Sequence, residues 1–322
     1  MSRDEIRKNI LATVAYYDVL DYPLTSFEVW KYLMRVDYSG EEDFNKGHSL
    51  IDVIEILDGG DLKSFIKEAE GFYFLRGRNG LIERRIKRNK IANLKLKRLR
   101  RMVWVLRFAP FIRMIGVTGR LAMKNTPPES DWDLLVILKH GKIWTGRTLV
   151  TMVAQILGKR RHGQKIRDRV CLNHFIADKF LISIKDLFSA NEYNFLLLLF
   201  NSNNAFSRFL IRNSWIRKYK VNFNADLIES LKVVEDTRFS KLIRQFWEKV
   251  FAPTWIESAL KRWESRKIEA NPKTKLGASM VVYTDDELAF WPNFRNQGPK
   301  IFEKFKSRIE ALENRNHLQN MF

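Results

Sequence analysis

Two aspartates one residue apart carry the clearest chemical signal in the sequence. Asp131 and Asp133 directly precede an apolar run, residues 134–138, that predicts a buried strand. Because residues i and i+2 of a strand point to the same face, both carboxylates are expected side by side where the strand begins. Neighbouring carboxylates repel each other unless a cation lies between them, and Mg²⁺ held together with substrate phosphates is a common occupant. The spacing therefore predicts a metal site for Mg²⁺ or Mn²⁺ at these two residues.

The chain before this pair adds a second strand and a glycine. Residues 113–118 are apolar and β-branched enough for a buried strand, which ends at Gly119. A side chain at Gly119 would keep backbone N–H groups away from an incoming phosphate. An Asp-x-Asp pattern alone is not specific. A surface turn with two solvated aspartates has it, and so does a glycosyltransferase that holds a nucleotide-sugar through Mn²⁺.

The complete arrangement resembles the signature of nucleotidyltransferases of the DNA polymerase beta superfamily, and looks most like their small MNT-like branch. In that signature a strand ends in Gly-Gly or Gly-Ser, and a later strand carries hydrophobic-Asp-hydrophobic-Asp. The corresponding stretches here are VTGRLA at 117–122 and SDWDLLV at 130–136. The motif spans residues 113–138 and its domain about 106–178, while the rest of the chain matches only in domain order.

The resemblance implies a polymerase-beta-like α/β domain with a short mixed sheet. It also implies transfer of a nucleoside monophosphate from an NTP, with ATP the expected donor, to an acceptor hydroxyl. Asp131 and Asp133 would hold Mg²⁺ or Mn²⁺, and Gly119, Arg120 and Ser130 would contact the triphosphate.

The sequence departs from the family pattern at two positions. Arg120 replaces the usual serine or glycine, so it either reaches a phosphate as a cation or blocks the nucleotide. The third family carboxylate falls on the predicted strand 170–176, which offers Asn173, with Asp168 before it and Asp178 after it. Asparagine can coordinate a metal but cannot act as a base. Either Asp168 substitutes, or catalysis is weakened with Asn173 in the catalytic position, or the domain binds nucleotide without turnover.

Two further features lie close to this motif in the sequence. His174 occupies the opposite face of its predicted strand from Asn173, and a histidine among apolar neighbours is more often packed and hydrogen-bonded than catalytic. A group of cations within residues 159–169 is either an exposed loop or a ligand for a triphosphate or a nucleic-acid end.

Composition limits the partner. The 322 residues carry a formal charge of +20, which attracts polyanions and favours nucleic acid over an anionic membrane. RNA is the preferred acceptor over DNA, and transfer onto a protein hydroxyl remains the other possibility. A single cysteine, Cys171, excludes an intramolecular disulfide. Without an apolar run long enough to span a bilayer or form a signal peptide, a cytoplasmic protein with no membrane contact is expected.

The surrounding chain divides into three further segments. Residues 1–78 predict three helices and then a hairpin, the order of a winged helix, which either contacts nucleic acid or docks proteins. Residues 79–108 predict a basic helix, interpreted as a phosphate-tracking surface with a solvated helix face as the alternative. The cations expected to contact nucleic acid there are Arg84, Arg85, Arg88, Lys95, Arg98 and Arg101.

The nucleotidyltransferase domain is expected at 109–184 and a mainly helical region at 185–322. Within the latter, helices are predicted over 187–219, 226–269 and 299–312, with a short strand at 278–283 followed by a loop.

Overall fold

The computed structural model describes residues 3–36, 47–179, 181–224, 233–275, 279–291 and 294–319. Over these residues the chain is a mixed α/β protein with eleven α-helices, a mixed six-stranded sheet and a separate two-stranded antiparallel sheet. The expected α/β class with a mixed sheet is therefore confirmed. Among the same residues, every helix is too short or too polar to cross a lipid bilayer.

The N-terminal segment has the predicted order of three helices followed by a hairpin. Its elements are α1 (Arg3–Val19), α2 (Ser26–Lys31), α3 (Leu50–Asp58), β1 (Ile66–Ala69) and β2 (Phe72–Leu75). The predicted capping box starts α2, because the Thr25 side chain accepts from the Glu28 N–H and the Glu28 carboxylate accepts from the Thr25 N–H. The basic segment that follows is one long helix, α4 (Leu81–Leu106).

The main sheet collects strands from distant parts of the chain. These are β3 (Ile112–Val117), β4 (Trp132–Leu138), β5 (Val170–Ala177), β6 (Leu197–Asn201), β7 (Met280–Tyr283) and β8 (Glu287–Trp291). Their spatial order is β6-β3-β4-β5-β8-β7. The pair β4–β5 is parallel, whereas all other neighbours are antiparallel. The sheet thus includes strands from both the 109–184 and the 185–322 ranges.

Helices cover and connect the strands. They are α5 (Gly119–Ala122), α6 (Ile143–Ile156), α7 (Leu187–Asn194), α8 (Ala205–Arg212), α9 (Arg238–Val250), α10 (Thr254–Ala270) and α11 (Phe294–Gln319). Successive residues of β4 alternate between two apolar clusters: Leu134 and Val136 belong to one, Leu135 and Ile137 to the other. Both sheet faces are therefore packed, which explains why this strand is a continuous apolar run.

The continuous helix expected over 187–219 is wrong at β6. Residues 197–201 pair with β3 in the sheet instead. A short apolar run buried on both faces lacks periodicity, so the sequence alone does not distinguish a core strand from a buried helix.

Other boundaries also differ from the expectation. The strand β8 replaces part of the expected loop, and α11 begins at Phe294 rather than Pro299. Of the predicted elements, residues 226–232 and Ala278 lie outside the described residues.

Candidate metal and nucleotide site

The two aspartates converge at the beginning of β4. One oxygen from each of Asp131 and Asp133 and the Sγ of Cys171 all lie within 4.8 Å of one another. Cys171 belongs to β5 and stands directly opposite Asp133 in the parallel β4–β5 pair. The predicted placement of both carboxylates on one face is therefore observed, with a thiol as an additional neighbour.

Burial and mutual repulsion raise the pKa values of acidic groups in this cluster. Burial and the adjacent charge of Asp131 raise the pKa of Asp133 to about 7. Burial and the two carboxylates also raise the pKa of the Cys171 thiol, so it is neutral at physiological pH. Burial is the larger cause of both shifts and neighbouring negative charge the second, so a bound cation would stabilise the ionised cluster by offsetting that charge.

A guanidinium supplies part of the missing positive charge. Arg161 Nη1 donates to Asp131 Oδ2 at 2.5 Å and lies 3.5 Å from Cys171 Sγ. The loop is fixed against β5 because the Arg161 N–H donates to the Val170 carbonyl at 2.9 Å. Arg161 is thus the loop cation that reaches the aspartates, in line with the expectation that residues 159–169 lie near the site.

Gly119 closes the other side of the pair. Its φ of +66° is in the left-handed region, and a Cβ placed there would lie 2.9 Å from Asp133 Oδ2. The N–H of the preceding Thr118 donates to the Asp133 carbonyl at 3.1 Å. From the sequence, the glycine was expected because a side chain would keep phosphates away from the backbone. The structure adds a second reason, since a side chain here would also collide with Asp133, a candidate metal ligand.

A third carboxylate near the site was missed by sequence reasoning. Glu192, on α7, accepts a hydrogen bond from the Gly119 N–H at 2.8 Å. Burial and the charge of Asp133 raise the pKa of Glu192 to about 7, although this hydrogen bond acts in the opposite direction. No sequence signal identifies Glu192, because it stands 73 residues from Gly119 in a segment expected to be an ordinary packed helix.

Asn173, which the resemblance assigned to the third carboxylate position, lies next to Asp133. Its Nδ2 lies 3.4 Å from Asp133 Oδ1. The alternative, Asp168, is turned away: its carboxylate pairs with Lys95 Nζ at 3.1 Å and Arg98 Nη1 at 2.5 Å on α4. The suggestion that Asp168 replaces the missing carboxylate is therefore wrong, since the cations of α4 hold it elsewhere.

His174, within β5, and Asp178, just after it, lie away from the cluster of Asp131, Asp133 and Cys171. His174 is buried, with Nε2 2.9 Å from Glu287 and Nδ1 3.3 Å from the Tyr193 hydroxyl, so the packed interpretation is confirmed. Asp178 follows the opposite end of β5, where it accepts from the His140 N–H at 3.0 Å.

Ser130 and Arg120, the other two residues expected to contact the triphosphate, have different neighbours in the structure. The Ser130 hydroxyl pairs with Thr126 and donates to the Pro127 carbonyl at 3.0 Å, which fixes the loop before Asp131. Arg120 is exposed and lies beside Arg88, whose pKa is lowered by burial and by the charge of Arg120.

Comparisons of this chain with protein families, with curated proteins and with solved structures find no match. The function is therefore argued from the chain's own residues.

The basic helix differs from a uniformly solvated cationic surface. Arg85 is buried, donates to Glu28 at 2.6 Å and stacks on Tyr22 at 3.6 Å. Lys95 is also buried and donates to the carbonyls of Pro128 and Ser130 at 2.8 and 2.7 Å. The interpretation of Arg85 and Lys95 as nucleic-acid contacts is wrong, because both groups are used inside the protein.

The other four cations expected to contact nucleic acid remain wholly or partly accessible. Arg84 pairs with Asp21 at 2.7 Å, and Arg88 donates to Asn125 Oδ1 at 3.0 Å. Arg98 pairs with Asp168, as described above, and Arg101 is exposed. Four further cations of α4 are exposed as well: Lys87, Lys90, Lys97 and Arg100. A basic outer face therefore persists, although it is smaller than the sequence suggested.

Proposed function

We propose that this protein is a metal-dependent nucleotidyltransferase that moves a nucleoside monophosphate from an NTP to an acceptor hydroxyl and releases pyrophosphate. The observation that carries the proposal is the convergence of the Asp131 and Asp133 carboxylates next to the backbone turn at Gly119. This arrangement places candidate metal ligands beside a backbone segment whose glycine leaves room for phosphates.

The donor atoms fit Mg²⁺ or Mn²⁺. Asp131 and Asp133 supply oxygen ligands, which these hard cations prefer. Asn173 Nδ2 donates to Asp133 Oδ1, and rotating the amide group by about 180° would present its oxygen to a cation bound there. Cys171 is a neutral thiol and a poor ligand for Mg²⁺, so it would remain a neighbour of the metal.

The transfer requires the acceptor oxygen to bond to the α-phosphorus while the bond to the leaving β-phosphate oxygen breaks. The electron pair departs with pyrophosphate, and the acceptor proton passes to solvent. Bound Mg²⁺ or Mn²⁺ would neutralise the phosphates and stabilise the charge that develops on the leaving oxygen. Asp131 and Asp133 would hold this cation beside the phosphates. Arg161, once its carboxylate partner binds a cation, becomes a donor available to a phosphate oxygen.

The basic surface supports a nucleic-acid acceptor, with RNA preferred. The exposed cations of α4 lie on the helix that also fixes the loop before Asp131 through Lys95. A polyanion held along this face would therefore lie on an element in direct contact with the site. Replacing Lys87, Lys90, Lys97 and Arg101 with glutamine should weaken RNA binding and reduce its salt dependence.

A second candidate is a nucleic-acid-binding or regulatory protein that keeps this site without turnover. It is favoured by the pairing of Arg161 with Asp131 and by Asn173 at the third position. In addition, the Gly119 N–H already donates a hydrogen bond to the Glu192 carboxylate. A triphosphate would have to displace that carboxylate or accept from other donors.

The deciding experiment incubates the protein with each α-labelled NTP, Mg²⁺ or Mn²⁺, and pools of RNA, DNA or protein. An Asp131→Asn/Asp133→Asn variant is compared with Glu129→Gln, which removes an exposed carboxylate from the same loop. We expect transfer by the wild type and by Glu129→Gln, and none by the double variant. Absence of labelled product from every pool, with RNA retained in a salt-sensitive complex, would favour the binding protein.

A further inference from the structure

Helix α9 is amphipathic, but its apolar side faces outward. Phe239, Leu242 and Phe246 lie at i, i+3 and i+7 spacing and are 66%, 65% and 61% exposed. Val250 continues the same face at 45% exposure. Large apolar side chains of a surface helix normally pack on the core, so this orientation is the reverse of the usual one.

Ion pairs hold the opposite face of α9 against the protein. Buried Arg244 pairs with Asp236 at 2.7 Å and donates to the Arg107 carbonyl at 2.8 Å. One turn later, Glu248 pairs with Arg113 at 2.8 Å. Rolling the helix to bury its apolar side would bring these charges out of their hydrogen bonds, so the outward orientation is fixed.

The apolar face extends beyond α9. The Phe239 ring lies 6.2 Å from the Phe108 ring, which in turn lies 5.7 Å from the Trp104 ring. Trp104, on α4, is itself 52% exposed, so the two helices share one continuous aromatic and aliphatic surface. We refer to Trp104, Phe108, Phe239, Leu242, Phe246 and Val250 as the α9 face.

Exposed cations border the α9 face. On α9 they are Arg238 and Lys249, and on α4, in the two turns before Trp104, they are Lys97, Arg100 and Arg101. The acid within α9, Glu248, is already paired with Arg113. The missing partner must therefore offer an apolar phase bordered by negative charge.

We propose that the α9 face docks on an anionic lipid surface, with α9 lying in the plane of the interface. Phenylalanine, tryptophan and leucine on one side of a helix, with lysine and arginine at its edge, form the pattern of interfacial helices. Such docking needs no bilayer-spanning segment. The proposal departs from the expectation of no membrane contact, which rested on the lack of a spanning segment and of a signal peptide in the sequence.

Two other occupants fit the α9 face less well. A second copy in a two-fold dimer would bring its basic border against an identical basic border. A single-stranded nucleic acid would stack on the aromatic rings, but Leu242 and Val250 offer no stacking surface to a base. The projecting aliphatic side chains favour a soft apolar phase instead.

The test measures binding of the full chain to vesicles by co-sedimentation. The wild type should bind vesicles of phosphatidylcholine with about a third phosphatidylglycerol, and bind pure phosphatidylcholine at least several-fold less. A Leu242→Gln/Phe246→Gln variant should lose about tenfold or more of its partition into the anionic vesicles. The matched control is Ile51→Gln/Ile211→Gln, which replaces apolar side chains that are 67% and 74% exposed on α3 and α8.

The control variant should bind within about twofold of the wild type, because its apolar residues lie outside the α9 face. Absence of vesicle binding by the wild type would overturn the proposal, as would equal losses in the two variants. If Leu242→Gln/Phe246→Gln instead abolished self-association or RNA binding while vesicles remained unbound, the α9 face would belong to that other partner. Circular dichroism of each variant shows whether the fold is retained.

Discussion

Gly119 and Asp133 are in such close contact that a Cβ on the glycine would lie 2.9 Å from the aspartate Oδ2. The glycine also has a φ of +66°, a backbone conformation that residues other than glycine rarely adopt. Backbone conformation and contact with the site are therefore two separate reasons for glycine at this position. They have different consequences when the residue is changed.

Gly119→Ala is expected to lower stability by about 1–3 kcal/mol and to weaken Mn²⁺ binding by moving the Asp133 carboxylate. Gly71→Ala is the matched control, because Gly71 has a φ of +77° and no atom within 4 Å of its added Cβ. The control should show the conformational cost alone, with no effect on the metal. Denaturant titration and Mn²⁺ titration by electron paramagnetic resonance measure the two quantities. Equal effects of both substitutions on Mn²⁺ would contradict the contact argument.

Arg161→Ala should increase affinity for Mn²⁺ several-fold, because a cation would no longer compete with the guanidinium for Asp131. The metal-free protein should lose some stability at neutral pH, since the carboxylate pair then keeps its full repulsion. Lys165→Ala removes an exposed cation from the same loop and serves as the control. Isothermal titration calorimetry measures the Mn²⁺ affinity of each variant. Weaker Mn²⁺ binding by Arg161→Ala would show that the guanidinium does not compete with the cation for Asp131.

Lys95 and Arg98 both pair with Asp168 but should contribute very differently to stability. The Lys95 side chain is 3% exposed and bonds two loop carbonyls, so Lys95→Met should cost about 3–5 kcal/mol. The Arg98 side chain is 56% exposed, so Arg98→Met should cost less than about 1 kcal/mol. Urea unfolding of both variants makes the comparison. Similar costs would mean that the hydrogen bonds from Lys95 to the two loop carbonyls add little to stability.

Lys220 predicts a pH dependence of stability. It is fully buried beside Tyr16 and Tyr17, and burial lowers its pKa to about 7 from an ordinary value of 10.5. Between these two values the unfolded chain binds more protons than the native state, so this group adds stability as pH rises and removes it as pH falls towards 7.

The measurement compares Lys220→Met with the wild type from pH 7 to 10. The stability difference between them should change by up to about 1.4 kcal/mol per pH unit, in favour of the wild type as pH rises. The substitution removes the bond that Lys220 Nζ donates to the Tyr17 hydroxyl at 3.1 Å, and the hydroxyl should keep its own bond to Asn191 Oδ1, which is 2.6 Å long in the wild type. A stability difference that stays constant with pH would indicate that Lys220 is charged in the native state.

Local patterns in the sequence determined the features that depend on neighbouring residues. The alternation of a strand placed Asp131 and Asp133 on one face, and the Thr25–Glu28 spacing gave the start of α2. The glycine at the end of β3 was singled out for the access that it gives a phosphate to the backbone, whereas its left-handed φ of +66° is a finding of the structure. These features involve residues within a few positions of each other, so the backbone geometry of a single element is enough to fix them.

Only the tertiary structure decided which distant groups meet at the site and which side chains are buried. Glu192 reaches Gly119 from α7, and Arg161 reaches Asp131 from the loop before β5. The cations of α4 look alike in sequence, yet Lys95 is buried against a loop while Arg101 is exposed. Periodicity shows that a helix has two faces, but packing partners far along the chain decide which face turns inward. For α9, buried ion pairs turned the polar face inward and left the apolar face to solvent.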